Sequence, residues 1–205
     1  MWDAIKTLTN PESIIQYGGI VLLALVIFAE TGIFFGFFLP GDNLVLLSGI
    51  LCKTHPEWIT LHFETMVVVL SLCAIAGNFV GYAFGYLSGK SLFQKQESRF
   101  FKPKHLTMAE TYYKRYGGHK TLLIARFIPV LRTFAPILAG VIQVPLKAFA
   151  FYNCIGACLW IFSLSAIGYY SVSLFPELIQ YMHWIFMSLI ILTAIPVIRA
   201  FIKSN

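Results

Sequence analysis

Charge is what this sequence has least of. Aspartate, glutamate, lysine and arginine make up 12% of its 205 residues, about half the share found in a soluble globular domain. With 58% hydrophobic residues and a mean hydropathy of +0.76, that shortage indicates an integral membrane protein. Serine- or glycine-rich linkers and low-complexity stretches are also missing, so residues 1–205 read as a single membrane domain. Cysteine is scarce, with Cys52, Cys73, Cys154 and Cys158 only. Three of the four lie in apolar runs, where a free thiol behaves as a small buried hydrophobe. No histidine or acid stands at zinc-ligand spacing from Cys154 and Cys158. A disulfide framework, a metal site and a cofactor are therefore not expected. Ser48, Ser163 and Ser165 lack a base and its orienting partner, which argues against hydrolysis, and no enzyme is expected. Residues 1–16, with Asp3 and Glu12, lack the charged-then-apolar order of a signal sequence.

Positive charge is present but gathered in one place. The net charge is +6, and eight of the 15 lysines and arginines fall between Lys90 and Lys120. In a polytopic protein such a cluster reads as a cytoplasmic loop obeying the positive-inside rule, not as a nucleic-acid surface. Pro103 suits a helix start and Gly117-Gly118 a stop. Between them Leu106, Ala109, Tyr112 or Tyr113, and Tyr116 recur at helical spacing, so 90–120 is predicted to carry an amphipathic helix on the cytoplasmic face.

The apolar runs set the architecture. An all-α fold is predicted, with an interfacial lead-in over 1–16 and full crossings over 64–89, 147–172 and 183–203. Two other apolar stretches, 17–52 and 121–146, are interrupted. The first contains Glu30 and breaks at Pro40-Gly41-Asp42-Asn43, and its remainder is far short of the roughly 20 residues that a crossing needs. The second contains Arg126, Pro129, Arg132 and Pro136. Both are predicted to be re-entrant hairpins. The connector Ser171–His183 holds Glu177 and no lysine or arginine, whereas Arg199 and Lys203 place the C-terminus in the cytoplasm. With the loop 90–120 also cytoplasmic, 121–146 must enter and leave on that side. Two interrupted segments, each followed by a crossing, form the pattern that marks a mid-membrane transport site. If the first hairpin enters from outside, the two halves are inverted copies. Gly77, Gly81, Gly85 and Gly89 leave a smooth stripe on the crossing 64–89, and close helix packing is its favoured use.

The charges inside these runs are the candidate site. An ionisable residue at membrane depth costs several kcal/mol and so faces protein, water or a ligand. Arg126 and Arg132 offer planar forks of donors that match phosphate oxygens. Glu30 and Asp42 can pair with them or bind protons, because burial raises and a guanidinium lowers a carboxylate pKa. Which acid pairs with which arginine is left open. Static ion pairs fastening the hairpins are the competing explanation. Pro40, Gly41, Pro129 and Pro136 are assigned to shaping the turns. Asn43 and Asn153 are secondary candidates, either for substrate or for backbone groups freed by the breaks.

In order and spacing these residues resemble the DedA membrane proteins, the SNARE-associated or VTT-domain superfamily, over about residues 14–172. The resemblance is carried by Glu30 with Pro40-Gly41-Asp42, by Gly81-Tyr82-Ala83-Phe84-Gly85, and by Tyr116-Gly117. It continues through Arg126-Phe127-Ile128-Pro129 with Arg132, Pro136, Ala139 and Gly140, and ends on Asn153, Gly156 and Trp160. Phe38 replaces a usual proline, and the acid after Pro40-Gly41 is Asp rather than Glu. The resemblance implies a bacterial inner-membrane protein with two opposed hairpins. It implies movement of a phosphate-bearing lipid, such as phosphatidylethanolamine or undecaprenyl phosphate, with dependence on the proton-motive force. It also implies a part in envelope homeostasis, and functional roles for Glu30, Asp42, Arg126 and Arg132. The expected partners are that lipid and protons, with no nucleic acid; a homo-oligomer is left open. A proton-coupled exchanger of small cations or drugs, and a non-transporting envelope factor, are the alternatives.

Overall fold

The computed structural model describes residues 11–32, 41–94, 122–123, 126, 129–174 and 177. All five elements among them are helices: α1 (Pro11–Gly32), α2 (Gly41–Thr54), α3 (Phe63–Gln94), α4 (Pro129–Val141) and α5 (Leu146–Leu174). Their lengths divide them into two kinds. At 1.5 Å per residue the apolar parts of α3 and α5, 27 and 29 residues, reach about 40 Å, more than the roughly 30 Å of a hydrocarbon core. With 14 and 13 residues, α2 and α4 reach only about 20 Å. The crossing predicted over 183–203, the basic stretch 95–120 and Pro40 lie outside the described residues.

The surfaces of the long helices are inverted relative to a soluble protein. Val68, Leu72, Phe84 and Leu87 of α3 and Phe151, Leu159, Phe162 and Ile167 of α5 are exposed, while Ser71, Asn78, Asn153 and Ser165 are buried. Apolar residues outward and polar residues inward suit a hydrocarbon surround, where exposed polar groups have no water to bind.

The described part of the lead-in expected over 1–16 is helical from Pro11, because proline is suited to a first helical position and no breaker follows until Gly18-Gly19. The break comes at Gly19, whose φ of +51° is costly for any residue with a side chain. Pro136, assigned to a turn, lies inside α4, and Ala135 before it is helical as well. A proline there removes the bond to the carbonyl four residues back, that of Arg132. Packing of α4 on α3 outweighs that loss.

The chain forms two compact units. The first takes 1–26, 39–70 and 161–205; its core includes Leu44, Leu47, Leu51, Met66, Leu70 and Ile161. Here α2 lies on the last third of α5 through reciprocal glycines. A Cβ at Gly49 would run into the Ser165 carbonyl, and one at Gly168 into the Leu46 carbonyl. The second unit takes 27–38 and 71–160, with Tyr82, Ala139, Val144 and Phe149 in its core. There α4 lies on α3 in the same manner, Gly85 under the Ile137 carbonyl and Gly140 under the Tyr82 carbonyl. The two receiving helices carry matching text, Ala83-Phe84-Gly85-Tyr86-Leu87-Ser88 and Ala166-Ile167-Gly168-Tyr169-Tyr170-Ser171. Each short helix therefore packs on the long helix of the other half of the sequence.

The glycine stripe of α3 also seats the end of α1. Gly77 meets the Thr31 side chain and, at 2.6 Å from its would-be Cβ, the Phe28 carbonyl. Thr31 turns its hydroxyl back to the Ile27 carbonyl at 2.8 Å. One side-chain-free face of α3 thus holds the last turns of α1 and the second half of α4. That shared seat brings Glu30 and Arg132 together.

Candidate functional site

Three of the four charged residues singled out in the sequence are buried in the second unit: Glu30 at 1% exposure, Arg132 at 5% and Arg126 at 7%. Arg132 donates from Nη2 to Oε1 of Glu30 as a buried ion pair. Of the two pairings left open by the sequence, Glu30 therefore takes the distal arginine. Asp42 belongs to the first unit, half-buried at the second position of α2, where a carboxylate favours the positive end of the helix dipole. Asn43 beside it is 2% exposed, and its Oδ1 has no hydrogen-bond partner among the described residues. Gly41 opens α2 and Pro129 opens α4.

Arg126 is held differently. Its Nη2 donates to Oδ1 of Asn153, and Asn153 in turn donates from Nδ2 to the Ile75 carbonyl at 3.3 Å. That second bond fixes which end of the amide faces the guanidinium. A neutral amide satisfies the donor without cancelling the charge. Arg126 and Arg132 line one small cavity together with Pro136, Phe149 and Asn153. Its volume of about 10 Å³ is at most the room of a single water, so the site is closed here.

One face of α5 grips both arginines. Asn153, Gly156 and Trp160 stand at i, i+3 and i+7, a single helical stripe. Gly156 is the bed of the Arg126 stem: a Cβ there would lie 2.6 Å from Cδ and 3.0 Å from Nε. The Arg132 guanidinium lies over the Trp160 ring, 4.4 Å from its centroid, a favourable cation–π geometry worth more when desolvated. Sequence reasoning had Asn153 as a secondary candidate and assigned no site role to Gly156 or Trp160. The available signal was their spacing after Asn153, which shows a shared face but not what it touches.

Gly156→Ala is accordingly expected to push the Arg126 stem out of its bed. Overpacking at this level costs about 1–3 kcal/mol. Lipid movement in liposomes should fall, while Gly156→Ser, of similar bulk, should be no better. Wild-type activity in the alanine variant would show that the stem can rest elsewhere.

Long apolar-surfaced helices enclosing buried arginines and a carboxylate define a helical membrane protein with a charged interior site. The VTT domain matches residues 20–170. Protein DedA of Escherichia coli K12 is 38% identical over 161 residues, covering 78% of this chain and 72% of that protein. Inner membrane protein YqjA of the same organism is 30% identical over 167 residues, covering 80% and 71%. An uncharacterized membrane protein of Mycobacterium tuberculosis is 31% identical over 156 residues, covering 75% and 67%. The chain belongs to the DedA family of VTT-domain membrane proteins. No solved structure matches it.

Proposed function

We propose that this protein moves a phosphate-bearing lipid across the bacterial inner membrane, with protonation of a carboxylate accompanying capture of the headgroup. The observation that carries this is the unequal holding of the two arginines. Arg132 is matched by a carboxylate, whereas Arg126, nine-tenths buried, is held by an uncharged amide. An arginine stays charged at any working pH, and an uncancelled charge in an apolar interior attracts an anion. A phosphate bound to Arg126 also reaches Arg132, because both line one cavity, and it competes there with Glu30. Proton uptake by Glu30 frees Arg132 for the phosphate; proton loss restores the ion pair and expels it. In this reading α2 and α4 are the inner arms of opposed re-entrant hairpins, and the basic loop and C-terminus are cytoplasmic. The inner-membrane location is supported by the name of YqjA.

The test is headgroup-resolved lipid movement in liposomes of phosphatidylethanolamine and phosphatidylglycerol, with and without a proton gradient. A charge-assisted hydrogen bond is worth about 1.5–3 kcal/mol. Arg126→Gln should therefore slow movement by about tenfold to a hundredfold. Arg126→Lys, which keeps the charge but loses the fork, should fall between. An Arg126→Gln protein working at the wild-type rate would sink the proposal.

A further inference from the structure

Beside the arginine cavity, the second unit carries an open apolar groove of about 700 Å³. One wall is a stripe of α3, Phe79, Tyr82, Tyr86 and Leu87; the other is the turn into α5 at Val144 and Leu146. No charged residue lines it among those described. Phe149 joins the two features. It lines the arginine cavity, and its ring stacks on Tyr82 at 4.5 Å and meets Phe79 edge-on at 5.6 Å. One aromatic layer thus separates the buried guanidinium groups from an open apolar channel. Tyr82 is fixed in that layer, its hydroxyl donating to the Val144 carbonyl at 2.6 Å. At the rim Gln143 adopts φ +55°, a conformation that side chains avoid and that tends to be kept where a site needs it.

We propose that this groove binds one acyl chain of the phospholipid whose phosphate occupies the arginine cavity. The inference rests on the phosphate reading of that cavity and adds where the chain goes. Continuity through Phe149 argues for it, since a cation and an apolar channel separated only by the stacked rings of Phe149 and Tyr82 match the two ends of a single amphipathic molecule. The volume falls within the range of small-molecule sites, about 300–1,000 Å³. At about 30 Å³ for a water-sized group, 700 Å³ holds a single acyl chain, and a polyprenyl tail overfills it. Ordinary lipid contact covers every exposed face of α3 and α5; a concave site next to the headgroup charge binds saturably.

The experiment is photolabelling of the full-length protein in phosphatidylcholine vesicles. The probe is a phosphatidylethanolamine carrying a diazirine near the end of one acyl chain, and labelled peptides are mapped by mass. Label should concentrate on residues 79–87 and 143–146 and be competed by unlabelled phosphatidylethanolamine. Ala83→Trp, which fills the groove from an exposed position, should cut it at least about tenfold, the occupancy change of 1.4 kcal/mol. Val80→Trp, exposed in α3 but outside the groove lining, should leave it unchanged. Label spread evenly over the apolar faces, or groove label that Ala83→Trp does not lower, overturns the proposal. So does protection of the groove by a second copy of the chain, seen as a cross-linked dimer through residues 79–87. Inorganic phosphate binding to the detergent-solubilised protein reads the headgroup site separately. Loss of competed groove label with phosphate binding intact removes the groove alone. Groove label that persists while phosphate fails to bind removes the phosphate reading.

Discussion

Replacing Arg132 by glutamine is expected to cost about 3–5 kcal/mol of stability, the penalty for breaking one side of a buried ion pair. The variant strands the Glu30 carboxylate, 1% exposed, without the guanidinium it accepts from. It also removes the cation lying over Trp160. Glu30→Gln alone should cost less, because a neutral amide still accepts a hydrogen bond from the arginine while Trp160 continues to face it. The double variant Glu30→Gln/Arg132→Gln should recover most of the loss, since a buried pair exchanged for neutral groups of similar volume is often nearly neutral. Transport should not recover with it. That separation distinguishes a working ion pair from a fastening one. Unfolding of the four proteins in detergent gives the coupling energy as a double-mutant cycle, and the liposome assay gives the activity. A stable double variant that still moved lipid with wild-type dependence on the proton gradient would return the pair to a structural role.

The parts of this molecule that the sequence announced are those set by an uninterrupted local pattern. The crossings predicted over 64–89 and 147–172 lie within helices Phe63–Gln94 and Leu146–Leu174, because a long apolar run has one cheap conformation in a bilayer. The misplaced turn belongs to a proline, whose effect depends on position and packing. Pro11 starts a helix within the expected lead-in, whereas Pro136 is carried through a helix where a turn was expected. The charged residues were legible as residues, since so few ionisable groups occur in the apolar runs. Their pairing was not. Glu30 and Arg132 stand 102 positions apart, and nothing local distinguishes that pairing from the one with Arg126. Trp160 and Gly156 were hidden for a related reason. A tryptophan and a glycine in an apolar helix have packing as their ordinary use, and only the guanidinium groups lying on them give them another. The matching text around Gly85 and Gly168 was readable from the start, but it gains meaning from what each glycine receives.

The glycine stripe of α3 supplies a graded expectation, because its four members meet different neighbours. A Cβ at Gly81 would find its nearest atom, on Pro136, at 3.5 Å, an ordinary contact, so Gly81→Ala should be neutral or slightly stabilising. At Gly89 the nearest atom is the Val141 Cα at 3.1 Å, close enough to require a small shift at the end of α4, and a mild loss should follow. At Gly85 the new Cβ runs into the Ile137 carbonyl, and at Gly77 it meets the Thr31 hydroxyl and the Phe28 carbonyl. Backbone cannot rotate away as a side chain can, so the two helices must separate. Overpacking costs about 1–3 kcal/mol where side chains can adjust, and a carbonyl in the way places these two at or above that range. For a chain of this length each kcal/mol is worth about 2–4 °C, so Gly85→Ala and Gly77→Ala should each lower the melting temperature in detergent by several degrees. The functional consequences should differ as well. Gly77 seats the turn of α1 that carries Glu30, whereas Gly85 seats α4, which carries Arg132. Either displacement parts the ion pair from one side, so both variants should lose lipid movement even at temperatures where they remain folded, and Gly81→Ala should keep it. Four alanine variants with equal melting temperatures would mean that the stripe is not where α1 and α4 are held.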